Sequence, residues 1–210
     1  MLFILISAIL AYLIGSINFA VIFSKLFIKK DVRDFGSGNA GATNVLRTAG
    51  ILPGLLTFLF DALKGFAACY SGKIIVANFA NGNTAQLAIY CAFVCGLACM
   101  LGHVFPVFFR FKGGKGVATA VGIFSVCCPI AIIIGLAVFI SLAVITRIVS
   151  ISSLCATVTV VALSIIFYNR DASIIPQIIL SVAMGSLVFI KHTENIKRLL
   201  KGEEKKLGRK

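Results

Sequence analysis

Long apolar stretches separated by short polar segments make up this chain. Leu2–Ser24, Ile51–Ser71, Ala85–Phe109, Ser150–Tyr168 and Ile174–Ile190 each predict a membrane-spanning helix. Such a helix needs about 20 apolar residues to cross ~30 Å of hydrocarbon at ~1.5 Å per residue. The stretch from Val117 to Thr146 has 30 residues, too long for one upright span and short for two. Cys127-Cys128-Pro129 sits near its middle, where proline ends or kinks a helix. Two short helices are predicted there, Val117–Cys128 and Ile130–Thr146, the first tilted or only partly crossing. Asn78–Thr84 predicts a turn.

The placement of Lys and Arg supports that division. With two helices between Val117 and Thr146, 17 basic residues fall on one side of the bundle, against Lys73 and Arg170 on the other. With one helix the split is 9 against 10. Basic loop residues collect on the cytoplasmic side. The prediction is therefore an all-α integral membrane protein, a seven-transmembrane helix bundle with a periplasmic N-terminus and a cytoplasmic C-terminus. It reads as one domain over residues 1–210, ending in a basic tail at 191–210. The N-terminus has no basic n-region and no cleavage site before the first polar loop, so Leu2–Ser24 reads as a retained span, not a signal peptide.

Composition agrees. The chain is 60% hydrophobic and 13% charged, against roughly 45–50% apolar and about 25% charged in soluble domains. A net charge of +13 suits nucleic acid in a soluble protein. Here the charges lie in short loops and one tail beside apolar spans, which fits membrane topology and anionic lipid instead. All seven cysteines fall in apolar runs. Cys91, Cys95 and Cys99 share a helix face, but no carboxylate accompanies them, so they read as small packing residues. Neither a metal site nor a disulfide framework is expected.

Four polar segments carry candidate chemistry, and topology puts all four on the cytoplasmic face. The first is Asp31-Val-Arg-Asp-Phe-Gly-Ser-Gly-Asn-Ala-Gly-Ala-Thr-Asn-Val-Leu-Arg47. Its glycines, Ser37, Asn39, Thr43, Asn44 and the planar fork of Arg47 suit a phosphate. The second, Lys112-Gly-Gly-Lys-Gly116, opens a helix whose amides favour anions, with Lys115 as a point charge. It is not a Walker A loop, because no Ser or Thr follows the lysine directly. The third is the tail start, where His192 and Asn195 share a helix face. The fourth is Arg147 with Ser150, Ser152 and Ser153, which by themselves read as helix caps. Asp61 and Lys64, three residues apart inside a span, are expected to neutralise each other and hold the bundle.

Together these motifs resemble the bacterial membrane glycerol-3-phosphate acyltransferases that use acyl phosphate as donor, the PlsY family. The matching segments are Gly36-Ser-Gly-Asn-Ala-Gly-Ala-Thr-Asn-Val-Leu-Arg47, with Asp31 and Arg33 as lead-in; Gly102-His-x-Phe-Pro followed by Phe111-Lys-Gly-Gly-Lys-Gly-Val-Ala-Thr119; and His192-x-x-Asn195-x-x-Arg198 with Gly202 and Glu204. Asp61-x-x-Lys-Gly65 and Gly15-Ser16-Ile17 also fit, and Asn18 departs where family members often carry proline.

The resemblance implies seven spans in the bacterial inner membrane and a site on the cytoplasmic face. It implies acyl transfer from acyl phosphate to the 1-hydroxyl of glycerol 3-phosphate, giving lysophosphatidic acid and inorganic phosphate, without a cofactor. By similarity the groups acting on the reaction are Ser37, Arg47, Lys115, His192 and Asn195. Substrate binding is carried over to Gly36, Gly38, Asn39, Thr43, Asn44, Gly113, Gly114, Gly116, Ser150 or Ser153, and Glu204. Membrane lipid and a soluble acyl-phosphate synthase are the implied partners; nucleic acid is not. No His-x4-Asp pair and no Ser-His-Asp set is present: five residues after His103 is Phe108, and after His192 is Lys197. The proton acceptor is then the donor phosphate or His192. Two other classes compete, an organophosphate transporter and a non-catalytic lipid-binding scaffold. A transporter tends to hold substrate near the midplane, often between repeats, and this chain shows neither feature.

Overall fold

Polar and helix-breaking residues set the element boundaries. The computed structural model describes residues 2–79, 85–167 and 174–208. The first apolar stretch divides at Gly15–Asn18 into α1 (Leu2–Gly15) and α2 (Phe19–Ile28). Asn18 causes the break: its side chain accepts the Val21 N–H at 3.2 Å and caps α2. The predicted single span Leu2–Ser24 is thus a broken one that runs on to Ile28. Next come α3 (Ala42–Ala49), α4 (Ile51–Phe79) and α5 (Ala85–Val104). Helix α4 passes the predicted end at Ser71 and includes Asn78; the rest of the predicted turn, residues 80–84, lies outside the described residues. So do Arg170, Arg209 and Lys210.

The long fourth stretch forms α6 (Val117–Cys127) and α7 (Pro129–Thr146), as the Cys-Cys-Pro break predicts. Pro129 opens α7, where a missing N–H costs no helical hydrogen bond. Helix α6 has 11 residues, a length of about 16 Å, so it crosses only part of a membrane. Gly116 before α6 and Val149 after α7 border one cavity, so the chain enters the bundle and returns to the same end. Helices α8 (Val149–Ile166), α9 (Ile174–Lys191) and α10 (Thr193–Leu200) complete the chain. Among the described residues no strand occurs, and five helical segments are long and apolar enough to span a membrane. A bent pair, α9 with α10, adds a sixth.

Large apolar side chains such as Leu2, Ile51, Ile133, Val144 and Ile145 point outward, a surface suited to hydrocarbon and not to water. Inside, helix α4 packs against α1, α3, α5 and α6. Small residues permit the close crossings. A Cβ on Gly15 would overlap the Cys99 carbonyl, and one on Gly122 would overlap the Ala62 carbonyl. Cys91, Cys95 and Cys99 are fully buried and pack with Ala11, Ala68 and Val76, the small-residue packing expected of them.

Candidate active site

The first polar loop is shaped by its own side chains. Gly36 and Gly38 take φ of 65° and 70°, left-handed conformations that favour glycine. Asn44, 1% exposed, lies beneath the loop at the start of α3. Its Nδ2 donates to the carbonyls of Val32, Phe35 and Asn39 at 2.9 to 3.0 Å, and its Oδ1 accepts the Ser37 N–H at 3.0 Å. The Asn44 amide is thereby committed to folding the loop. Arg33 chelates Asp31 and donates through Nη1 to the Phe109 carbonyl at 3.0 Å, joining this loop to the segment before the second one. The Arg33 hydrogen bond holds the Asp31 carboxyl below its ordinary range.

At this end of the bundle lies a cavity of about 300 Å³. The first loop and α3 border it with Gly36, Ser37, Asn39, Thr43, Asn44 and Arg47. Lys115 and Gly116 come from the second loop, Ser150 and Ser153 from α8, and His192, Asn195 and Glu204 from the tail. Gly38, Gly113 and Gly114 are not among the bordering residues. The four polar segments, distant in sequence, do meet at one site. Phe58, Asp61, His103, Phe139, Arg198 and Lys205 border it too. Intramembrane Asp61 and His103 in Gly-His-x-Phe-Pro were the sequence signals that could have extended the site downward.

The tail straps the cavity. Glu204 gathers three donors: Asn195 Nδ2 at 2.6 Å and Ser150 Oγ at 2.9 Å to Oε1, and Arg198 Nε at 2.7 Å to Oε2. Lys115 Nζ donates to Asn195 Oδ1. Arg47 Nη2 donates to the Lys205 carbonyl at 3.1 Å, and Lys205 Nζ to the Gly36 carbonyl at 3.3 Å. The Leu207 N–H donates to the Arg147 carbonyl at 2.7 Å. Ser153 Oγ instead bonds back to the Val149 carbonyl at 2.9 Å, so Ser150 is the serine that joins the charged network.

Charge in the cavity is mixed but mostly positive. Burial, reinforced by Arg198, Arg47 and Lys191, brings the Lys115 ammonium down to about 8, with Glu204 opposing. Burial likewise lowers Arg47, whose charge survives any ordinary pH. Burial pushes Glu204 up, but its hydrogen bonds from Asn195, Arg198 and Ser150 prevail and keep it low. His192 falls to about 4 through burial and the nearby Lys115, so it is neutral at pH 7. Its Nδ1 lies 2.8 Å from the Val188 carbonyl. A carbonyl can only accept, so Nδ1 carries the proton and Nε2 keeps a lone pair. Among the described residues no group of three or more His, Cys, Asp or Glu is placed to hold a metal.

A second, apolar cavity of about 90 Å³ runs between α6, α7, α8 and α9. Phe58, Val117, Phe139 and Ser153 border both cavities. The polar chamber therefore adjoins a slot walled by Phe124, Leu136, Val160 and Met184. Cationic and amide groups line the first, and nearly all the walls of the second are apolar.

Known proteins share this architecture. Residues 5–202 match the family model described as glycerol-3-phosphate acyltransferase. A glycerol-3-phosphate acyltransferase of Thermoanaerobacter sp. (strain X514) is 44% identical over 204 residues, 97% of this chain and 96% of the relative. Glycerol-3-phosphate acyltransferase 2 of Bacillus anthracis is 42% identical over 203 residues, 97% and 98% of the two chains. Crystal structures of PlsY (YgiH), an integral membrane glycerol 3-phosphate acyltransferase, superpose closely. Its glycerol 3-phosphate form gives a TM-score of 0.85 at 38% identity, covering 98% of this chain and 96% of that one. Its lysophosphatidic acid form gives 0.82 at 37% identity, covering 98% and 95%. Sequence and fold agree that this chain is an integral membrane acyltransferase belonging to the glycerol-3-phosphate acyltransferase family.

Proposed function

We propose that the protein transfers an acyl chain from acyl phosphate to the sn-1 hydroxyl of glycerol 3-phosphate, the first step of phospholipid biosynthesis. The products are lysophosphatidic acid and inorganic phosphate. The observation that carries this reading is a cationic, hydrogen-bonding chamber lying against an apolar slot, with Phe58, Val117, Phe139 and Ser153 bordering both. Both substrates carry a phosphate and one carries a hydrocarbon chain, so the paired cavities match the pair of substrates.

In this reading Arg47, Lys115, Ser150 and Asn195 hold glycerol 3-phosphate. Ser37, Asn39 and the backbone at Lys115–Gly116 hold the donor phosphate, and the acyl chain enters the slot beside α6. Glu204 acts on the donors around it, not on an anionic substrate that it would repel. The acceptor hydroxyl oxygen attacks the acyl carbonyl carbon, the bond from that carbon to the phosphate oxygen breaks, and phosphate leaves. The hydroxyl proton passes to the departing phosphate. His192, neutral and weakly basic, accepts the hydroxyl's hydrogen bond at Nε2 and relays that proton to the departing phosphate as the new bond forms. Acyl phosphate is an activated anhydride, so positioning and electrostatic stabilisation supply the catalysis. The 17-to-2 split of basic residues supports seven membrane segments, with α6 a partial one, and a site facing the cytoplasm of the inner membrane.

The test is purified protein in detergent with synthetic palmitoyl phosphate and glycerol 3-phosphate. One phosphate released per lysophosphatidic acid supports the reading, and turnover without a compartment excludes pure transport. Turnover with palmitoyl thioesters but none with palmitoyl phosphate overturns the donor. Acylation at the secondary hydroxyl overturns the position.

A further inference from the structure

Three ionisable side chains meet beneath the second glycine loop, deep in the bundle. Asp61, Lys64 and His103 are 1%, 4% and 5% exposed. Lys64 Nζ lies 2.7 Å from Asp61 Oδ1 and donates at 2.7 Å to the Ile17 carbonyl, left free by the break between α1 and α2. Lys64 and Asp61 thus neutralise each other, and no third group is needed to balance charge. Yet His103 Nδ1 lies 3.5 Å from the same Asp61 oxygen.

The second glycine loop rests on the other side of His103. The Gly114 N–H donates to the His103 carbonyl at 3.1 Å. A Cβ on Gly113 would overlap that carbonyl, and a Cβ on Gly114 would overlap His103 Nε2. The next residue is Lys115, whose ammonium reaches Asn195 across the cavity. Asp61 and His103 both border that cavity, which a mere staple between α4 and α5 has no reason to do. Gly113 and Gly114 are turned toward the His103 ring and carbonyl, not toward the cavity.

We propose that Asp61 and His103 form a positioning pair for the substrate-binding loop: Asp61 sets the ring of His103, and His103 is the floor that fixes Gly113–Lys115. The pair acts through the loop and takes no part in bond making. This inference rests on the reading that Lys115 and its loop hold a substrate phosphate.

The experiment compares His103→Leu, His103→Asn and His103→Gln in purified full-length protein, assayed for acylation of glycerol 3-phosphate with each substrate varied in turn. Asparagine can replace Nδ1 toward Asp61; glutamine can replace Nε2 toward the loop; leucine replaces neither. The expected result for His103→Leu is a rise of about tenfold or more in KM for one phosphate substrate, with a Tm within about 3 °C of wild type. At least one amide variant recovers most of that rise. In a double-mutant cycle, Gly114→Ala adds less than its own effect on the His103→Leu background, because both disturb one contact.

Kinetic constants of His103→Leu within twofold of wild type overturn the proposal. So does parallel loss of Tm and activity in all three variants without a KM shift, which marks a helix staple only. If His103→Leu cannot be purified, the amide variants decide: a KM shift at normal Tm in either supports the pair, and normal KM in both overturns it. Wild-type protein that fails to turn over overturns the functional reading itself, separately from the role of His103.

Discussion

With Lys115 in its proposed role of holding a substrate phosphate, substrate capture depends on pH in a way the structure sets. Its ammonium is buried among Arg198, Arg47 and Lys191 and ionises near 8 in the empty site. The charged form prevails below that value and is lost above it. About nine-tenths of the lysines are charged at pH 7 and about one-tenth at pH 9. If only the charged form holds phosphate, kcat/KM for glycerol 3-phosphate falls about tenfold between pH 7 and pH 9, with a midpoint near 8. The substrate does not confuse the reading, because the second ionisation of a phosphate monoester lies near pH 6 and is complete beforehand. Bound phosphate favours the charged amine, so the fall in kcat lies at higher pH than the fall in kcat/KM. Steady-state kinetics in detergent across pH 6.5 to 9.5 measures both curves. Lys115→Arg removes the inflection, since a guanidinium stays charged throughout, though its altered reach lowers the plateau. A fall below about twofold in the wild type, or an unchanged inflection in Lys115→Arg, refutes the assignment.

Other outcomes follow from the same geometry. His192→Gln lowers kcat but leaves the shape of the rate profile between pH 6 and 8 unchanged, because the wild-type imidazole, ionising near 4, is already neutral there; loss of an inflection in that range would show that His192 titrates during turnover. Ala156→Phe puts a ring into the apolar slot and shifts donor preference toward short chains by about tenfold in relative kcat/KM, read from a series of acyl phosphates. Lys64→Met leaves Asp61 buried without its partner, at a cost of about 3–5 kcal/mol. Thermal unfolding in detergent should show that loss, and Asp61→Asn in the same chain should recover part of it.

Much of the membrane architecture is written in the apolar pattern because each span satisfies its own backbone, whatever its neighbours do. The break at Cys127-Cys128-Pro129 is local, so its place was predicted to within a residue. Where local signals compete, the pattern misleads. Asn18 lies inside the long, mostly apolar stretch Leu2–Ser24, yet its side chain caps α2 and splits the first span. Helix α3 carries Asn44 and Arg47 through only 8 residues, too short to be stable alone. It exists because Val45 packs with Ala20, Val21, Val32 and Ala40, contacts invisible to periodicity.

For the site, sequence by itself determined which chemistries were present and that the charged loops belong at one end: glycines, amides, Arg47, Lys115, His192 and the sign of the loop charge are properties of residues. Tertiary structure decided where each group sits and what it bonds to. It committed Asn44 to the loop it supports, separated Ser150 from Ser153, and placed Glu204 among Asn195, Arg198 and Ser150. It also turned Gly113 and Gly114 toward His103 and carried the cavity down to Asp61. The physical reason is that a hydrogen bond or an ion pair is fixed by position within a few ångströms. Ser150 and Glu204 are 54 residues apart in the chain, and Lys115 and Asn195 are 80 apart. Only the packing of α3, α6, α8 and α10 around one chamber brings such groups within reach.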